Sequence, residues 1–158
     1  MKHAIDVGPF DELADPRVLA DLAVAAEERG WDGFFVWDHI VYRPPVQAVA
    51  DPWVALAAVA SATSRLRIGP MVTPLSRRRV PKLARETVSL DLLSSGRLTL
   101  GVGLGSARNG EFGPFGINPF GRTGRGSSPR EPGHGPRPRR SSPCPSAGTV
   151  RIRFPVSS

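Results

Sequence analysis

Short apolar runs alternate with segments of helical period through the first two thirds of the chain. His3 to Val7 reads as a first strand, and Gly33 to Val36 as a second, apolar enough to be buried on both faces, as in parallel sheets. Leu66 to Val72 and Arg97 to Val102 supply a third and a fourth. Between them lie three amphipathic stretches. Asp15-Pro16 and Asp51-Pro52 each offer a capping carboxylate followed by proline at the first helical position. Val18, Leu19, Leu22, Ala25 and Ala26 follow the first start, with Gly30 as its stop, and Trp53, Leu56, Ala57 and Ala60 follow the second toward Thr63. Pro81 opens a third helix, with Leu83, Thr87 and Leu90 on one face and Gly96 at its end. Strands and helices in strict alternation predict a parallel sheet with right-handed crossovers. Two α/β architectures share that start, a doubly wound open sheet and a (β/α)8 barrel.

Charge divides the chain sharply. Residues 1–106 carry 12 Lys+Arg against 12 Asp+Glu, whereas residues 107–158 carry 9 Arg against 2 Glu, the whole of the net +7. That second part holds 9 Gly, 9 Pro and 7 Ser and no Leu, too little apolar surface to offset chain entropy. Residues 117–158 are accordingly expected to form a disordered, low-complexity basic tail behind a domain spanning 1–116. The lone Cys144 excludes a disulfide framework and a cysteine-based metal site, so no metal is expected. Without an apolar leader or a long apolar run, the chain reads as cytoplasmic, with no membrane partner.

The candidate chemistry lies at strand ends. Trp37, Asp38 and His39 follow the second strand, at the C-terminal edge where α/β folds bind ligands. His39 suits acid–base work or a hydrogen bond to a ligand oxygen, and Asp38 either orients that imidazole or caps a loop. Arg77, Arg78 and Arg79 could attract a phosphate, but read more simply as a solvated charge run. Trp31 and Trp37 read as packing residues. Gly101, Gly103 and Gly105 follow the fourth strand rather than the first, which argues against a dinucleotide fingerprint. They are expected to let backbone amides approach a flat or anionic ligand, or to make a tight turn.

Together, Gly30-Trp31-Asp32-Gly33-Phe34-Phe35-Val36-Trp37-Asp38-His39, Asp51-Pro52-Trp53, Gly69-Pro70-Met71-Val72-Thr73-Pro74, Ser95-Gly96-Arg97-Leu98, Gly101-Val102-Gly103-Leu104-Gly105 and Glu111-Phe112-Gly113-Pro114-Phe115-Gly116 resemble the bacterial luciferase-like oxidoreductases. That family includes monooxygenases using FMN and relatives using a deazaflavin coenzyme. The resemblance implies an α/β fold, the N-terminal half of a (β/α)8 barrel with about four parallel strands and three helices. It implies His39 and Asp38 as catalytic candidates, a cofactor ring held by Met71, Val72, Thr73, Gly103, Leu104 and Gly105, and a small-molecule substrate. It ends near Gly116, whereas a full barrel takes roughly 200 residues or more. The chain is therefore expected to be a truncated or frameshifted member of impaired activity. Its open sheet edges call for a second copy or another covering partner. The alternative is an inactive fragment whose tail arginines bind nucleic acid without specificity.

Overall fold

A computed structural model of the chain describes residues 1–106 and 110–117 and the backbone of 148–150. Elements run β1 (Ala4–Val7), α1 (Pro16–Glu28), β2 (Gly33–Val36), α2 (Pro52–Ala62), β3 (Arg67–Pro70), β4 (Thr73–Pro74), α3 (Val80–Leu93), β5 (Leu100–Gly103) and β6 (Gly148–Val150). Strands β1, β2 and β3 pair in parallel, with Phe34 opposite Ile5 on one side and Ile68 on the other. An Ile68–Leu98 bridge and the parallel β4–β5 pair carry the same order to the fourth position.

The capping prolines start the helices where the sequence places them. The Asp15 carboxylate accepts from the Arg17 N–H at 2.9 Å, and Asp51 accepts from Trp53 at 2.9 Å and Val54 at 3.1 Å, filling donors the first turn leaves without partners. The third helix begins at Val80 and has no side-chain cap, its first-turn proline alone marking the start. Leu19, Ala23, Phe34, Val36, Leu56, Val59, Leu66 and Ile68 form a single core between α1, α2 and the sheet. Burying a side chain of this size is worth about 1.5–3 kcal/mol.

Two strands differ from their expected course. The third is interrupted after Pro70: β3 pairs with β2, and the chain resumes at Thr73 as β4, paired with β5. Pro70 and Pro74, the last residue of each piece, are paired with Val36 and Gly103 without bringing an N–H to either ladder. The Met71–Val72 peptide between the two pieces is cis, as is Pro44–Pro45. The fourth strand proper starts at Leu100, preceded by the single bridge at Leu98. Close packing here depends on Gly69, where a Cβ would come within 1.8 Å of the Thr99 carbonyl oxygen. Of the expected tail, Gly148–Val150 pairs antiparallel with β5. The remainder beyond Ile117 lies outside the described residues.

A second network ties the bottom of the sheet together. Glu27, in the last turn of α1, accepts the backbone N–H groups of Ser64, Arg65 and Leu66, the shortest at 2.6 Å. Burial pushes its carboxyl up, but these donors together outweigh that and hold it below the usual range. Arg97 donates to the carbonyls of Ala60, Thr63, Leu66 and Ser94, its own value lowered by burial and partly restored by the Glu27 charge.

Candidate functional site

At the C-terminal edge of β2 the chain changes from apolar to polar within three residues. The Trp37 N–H still bonds Val7 at 2.9 Å, its indole N–H reaches Asp6 at 3.0 Å, and then Asp38 turns inward, its side chain only 1% exposed. Such a carboxylate needs partners. Thr73 Oγ1 donates to Asp38 Oδ2 at 2.8 Å, Arg78 Nη2 to the same oxygen at 2.7 Å, and Arg77 Nη2 to Oδ1 at 3.0 Å. Arg77 Nη2 also donates to the Asp38 main-chain carbonyl.

This corrects the sequence expectation for the arginine run. Arg77 is 2% exposed at its side chain and Arg78 17%, so neither is a solvated surface charge; Arg79 alone faces water, at the start of α3. The turn Leu75–Arg77 after β4 folds the guanidiniums back over the strand ends. The Asp38 carboxylate that draws them lies nearly 40 residues earlier, so periodicity could not reveal the pairing.

Asp38 does not orient His39. The imidazole Nδ1 instead lies 2.9 Å from Glu111 Oε1, an oxygen that also accepts the Ile40 N–H at 2.8 Å and sits 3.9 Å from Arg77 Nη2. Glu111 is 1% exposed, and its other oxygen, Oε2, is buried without a hydrogen bond. Sequence reasoning placed Glu111 only within the block of family resemblance and gave it no role. The available signal was one carboxylate in an otherwise uncharged Gly- and Phe-rich stretch.

Phe112 delivers that carboxylate. It is 5% exposed and packs over Gly105, which has φ +81°; a Cβ there would meet Phe112 and Pro74 at 2.9 Å. A Cβ on Gly101 would meet the Pro70 carbonyl at 2.6 Å. At these two glycines, then, protein fills the space a side chain would take, and the freedom of glycine serves close packing. Leu104 is 55% exposed beside them, its carbonyl accepting from Ser76 Oγ at 2.7 Å. Met71 and Val72 are half-buried next to Gly101, while Thr73 is fully buried on Asp38.

His39 and Asp38 open onto a cavity of about 240 Å³, lined also by Ile40, Ala50, Arg77 and Arg78. One flank of the imidazole is aromatic. Tyr42 lies edge-on at 5.1 Å between ring centroids, Phe10 and Trp37 at 6.0 Å, and Phe10 stacks on Tyr42 at 4.7 Å. Where Glu111 is the acceptor of this contact, the proton sits on Nδ1, and Nε2 is the ring nitrogen with no hydrogen bond to another described residue. The edge thus offers one oriented imidazole, an apolar ring wall and two guanidiniums already engaged by Asp38. Among the described residues no cluster of His, Cys, Asp and Glu is arranged to hold a metal, and no helix is long and apolar enough to cross a membrane.

The same half barrel is found in solved enzymes. The F420-dependent tetrahydromethanopterin reductase of Methanopyrus kandleri aligns with TM-score 0.62 at 26% identity, over 74% of this chain and 30% of that one. The monooxygenase RslO1 of Streptomyces bottropensis aligns with TM-score 0.64 at 26% identity, over 75% and 37%. In sequence, the F420-dependent glucose-6-phosphate dehydrogenase of Amycolatopsis mediterranei is 41% identical over 102 residues, 62% of this chain and 30% of the relative. The chain therefore spans about a third or less of the length of these curated relatives. The profile described as luciferase-like monooxygenase matches residues 3–127. On that match, the chain belongs to the luciferase-like monooxygenase family.

Proposed function

We propose that this chain provides the strand-end half of an oxidoreductase site that works with a deazaflavin of the F420 type, or with FMN, on a small-molecule substrate. The observation that carries this reading is the His39–Glu111 pair at the C-terminal edge of β2, 2.9 Å apart and bordered by the Phe10–Trp37–Tyr42 wall. The relatives named F420-dependent support the deazaflavin first. The residues present fit a planar ring. His39 offers a ring nitrogen, Nε2, with no hydrogen bond to another described residue, and Leu104, Met71 and Val72 border the edge with apolar surface. The phosphate-bearing tail of either coenzyme has no evident seat in the cavity, since Arg77 and Arg78 are committed to Asp38.

When bound, the coenzyme supplies the hydride or electron pair. The chain's own part is to hold a proton acceptor in place. Glu111 orients the imidazole through Nδ1, and Nε2 can take a proton from a substrate hydroxyl or return it to a carbonyl oxygen. Buried Asp38 and its arginines fix the loop that carries His39.

The described strands do not close a barrel, which supports impaired activity for the chain by itself. The outer face of α2 and α3 exposes Val54, Leu92 and Leu93, which supports a second copy or another covering partner. Fluorescence titration with F420 and with FMN tests the reading. Saturable binding weaker than micromolar is expected. Stoichiometric micromolar binding would overturn the impairment, and no binding after fusion to the C-terminal half of a relative would overturn the cofactor assignment.

A further inference from the structure

Among the described residues, four charged side chains lie behind His39 and balance without it: Asp38 and Glu111 against Arg77 and Arg78, with each carboxylate 1% exposed. Among the described residues Arg77 alone touches both acids, through a single nitrogen 3.0 Å from Asp38 Oδ1 and 3.9 Å from the Glu111 oxygen that holds the imidazole. We propose that Arg77 is a positioning residue for His39: its guanidinium supplies the charge that keeps Glu111 an ionised acceptor and the imidazole neutral, protonated at Nδ1 and bare at Nε2. The inference rests on reading His39 as the proton acceptor of the site.

The physical reason is the cost of unpaired buried charge. Without Arg77, the two buried carboxylates would have one cation left among the described residues, Arg78, whose ion pair is with Asp38. Two groups on that contact can take up a proton and restore balance, Glu111 itself and the imidazole, and of these the imidazole is ordinarily the more basic, about 6.5 against about 4.3. Other groups around it do not supply that charge. Tyr42 meets the imidazole through its ring, and Arg43 lies over that ring, 5.6 Å from its centroid. Asp51, across the cavity, is engaged by the first turn of α2, and Thr73 donates to Asp38. Trp37 and Phe10 carry no charge. Arg77 is thus the group that decides whether His39 presents a lone pair or a proton.

The test needs no coenzyme, so its failure is distinguishable from failure of the proposed function. Nitrogen-15 NMR of the His39 ring at neutral pH, assigned by the signal lost in His39→Asn, reads which nitrogens carry protons. The parent should show a proton on Nδ1 alone. Arg77→Gln should show protons on both nitrogens, and Arg77→Lys should return the neutral ring, since it restores charge without the guanidinium shape. A doubly protonated or Nε2-protonated ring in the parent would overturn the proposal, as would an unchanged neutral ring in Arg77→Gln. Should that variant fail to fold, Arg77→Gln combined with Glu111→Gln removes one charge of each sign. A neutral ring there supports the charge balance and a doubly protonated ring overturns it.

Discussion

His39 Nδ1 and Glu111 Oε1 lie 2.9 Å apart although 72 positions separate the two residues in the chain. The contact joins the end of β2 to a segment beyond β5, and it converts a strand-end histidine into an oriented one. In a barrel completed with the C-terminal half of a relative, His39→Ala should lower turnover roughly 10²-fold or more, the size of a lost proton-transfer partner. Glu111→Gln should fall by less, because the carboxamide oxygen can still accept from Nδ1. Steady-state kinetics with saturating coenzyme checks this, and unchanged turnover in His39→Ala would make the residue structural. Trp31→Phe, at a 36% exposed position on the opposite end of β2, should leave turnover unaltered.

Gly105 makes room for the aromatic ring that carries Glu111 into place. Gly105→Ala adds a methyl group 2.9 Å from Phe112 and from Pro74 at a φ of +81°, so it should destabilise by about 1–3 kcal/mol. Gly110→Ala shares a positive φ but meets no neighbouring atom, and should cost less. Urea unfolding of the two variants separates crowding from backbone strain; equal losses would show that Phe112 moves freely.

Stability should fall in acid for a stated reason. The Glu27 carboxyl is held below its ordinary value by the N–H groups of Arg65, Ser64 and Leu66, and Asp15 is lowered to about 2, chiefly by its Arg17 partner. Carboxyls lowered on folding stabilise fully above their unfolded values, about 4, and that contribution is lost as pH falls through the folded ones. Glu27→Ala should cost about 1–3 kcal/mol at neutral pH, since it leaves three loop donors without their acceptor. It should also flatten the decline of the urea midpoint as pH falls below about 4; an unaltered decline would assign acid sensitivity elsewhere.

All the net positive charge lies beyond Ser106. Any affinity for DNA or RNA should therefore be non-specific, weaken steeply with salt and vanish when residues 117–158 are deleted. The deletion also removes β6, a three-residue pairing at the edge of β5. Circular dichroism should show the helical signal kept. Filter binding at two salt concentrations completes the comparison, with sequence-selective, salt-tolerant binding as the opposing result.

What the sequence by itself determined is what local chemistry encodes. Asp15-Pro16 and Asp51-Pro52 set helix starts because cap and proline act within one turn, and Gly33 to Val36 declared a buried strand because every position is apolar or small. The change from a neutral stretch to a basic one is legible from charge alone. The site required the third dimension. Nothing near Asp38 in sequence announces that Thr73, Arg77 and Arg78 will close on it, and nothing near His39 announces Glu111. These partners are chosen by parallel strand order, which sets the ends of β2, β4 and β5 side by side. Burial then decides their meaning, because the same arginine run that would be a solvated patch in water must, once covered, find a carboxylate.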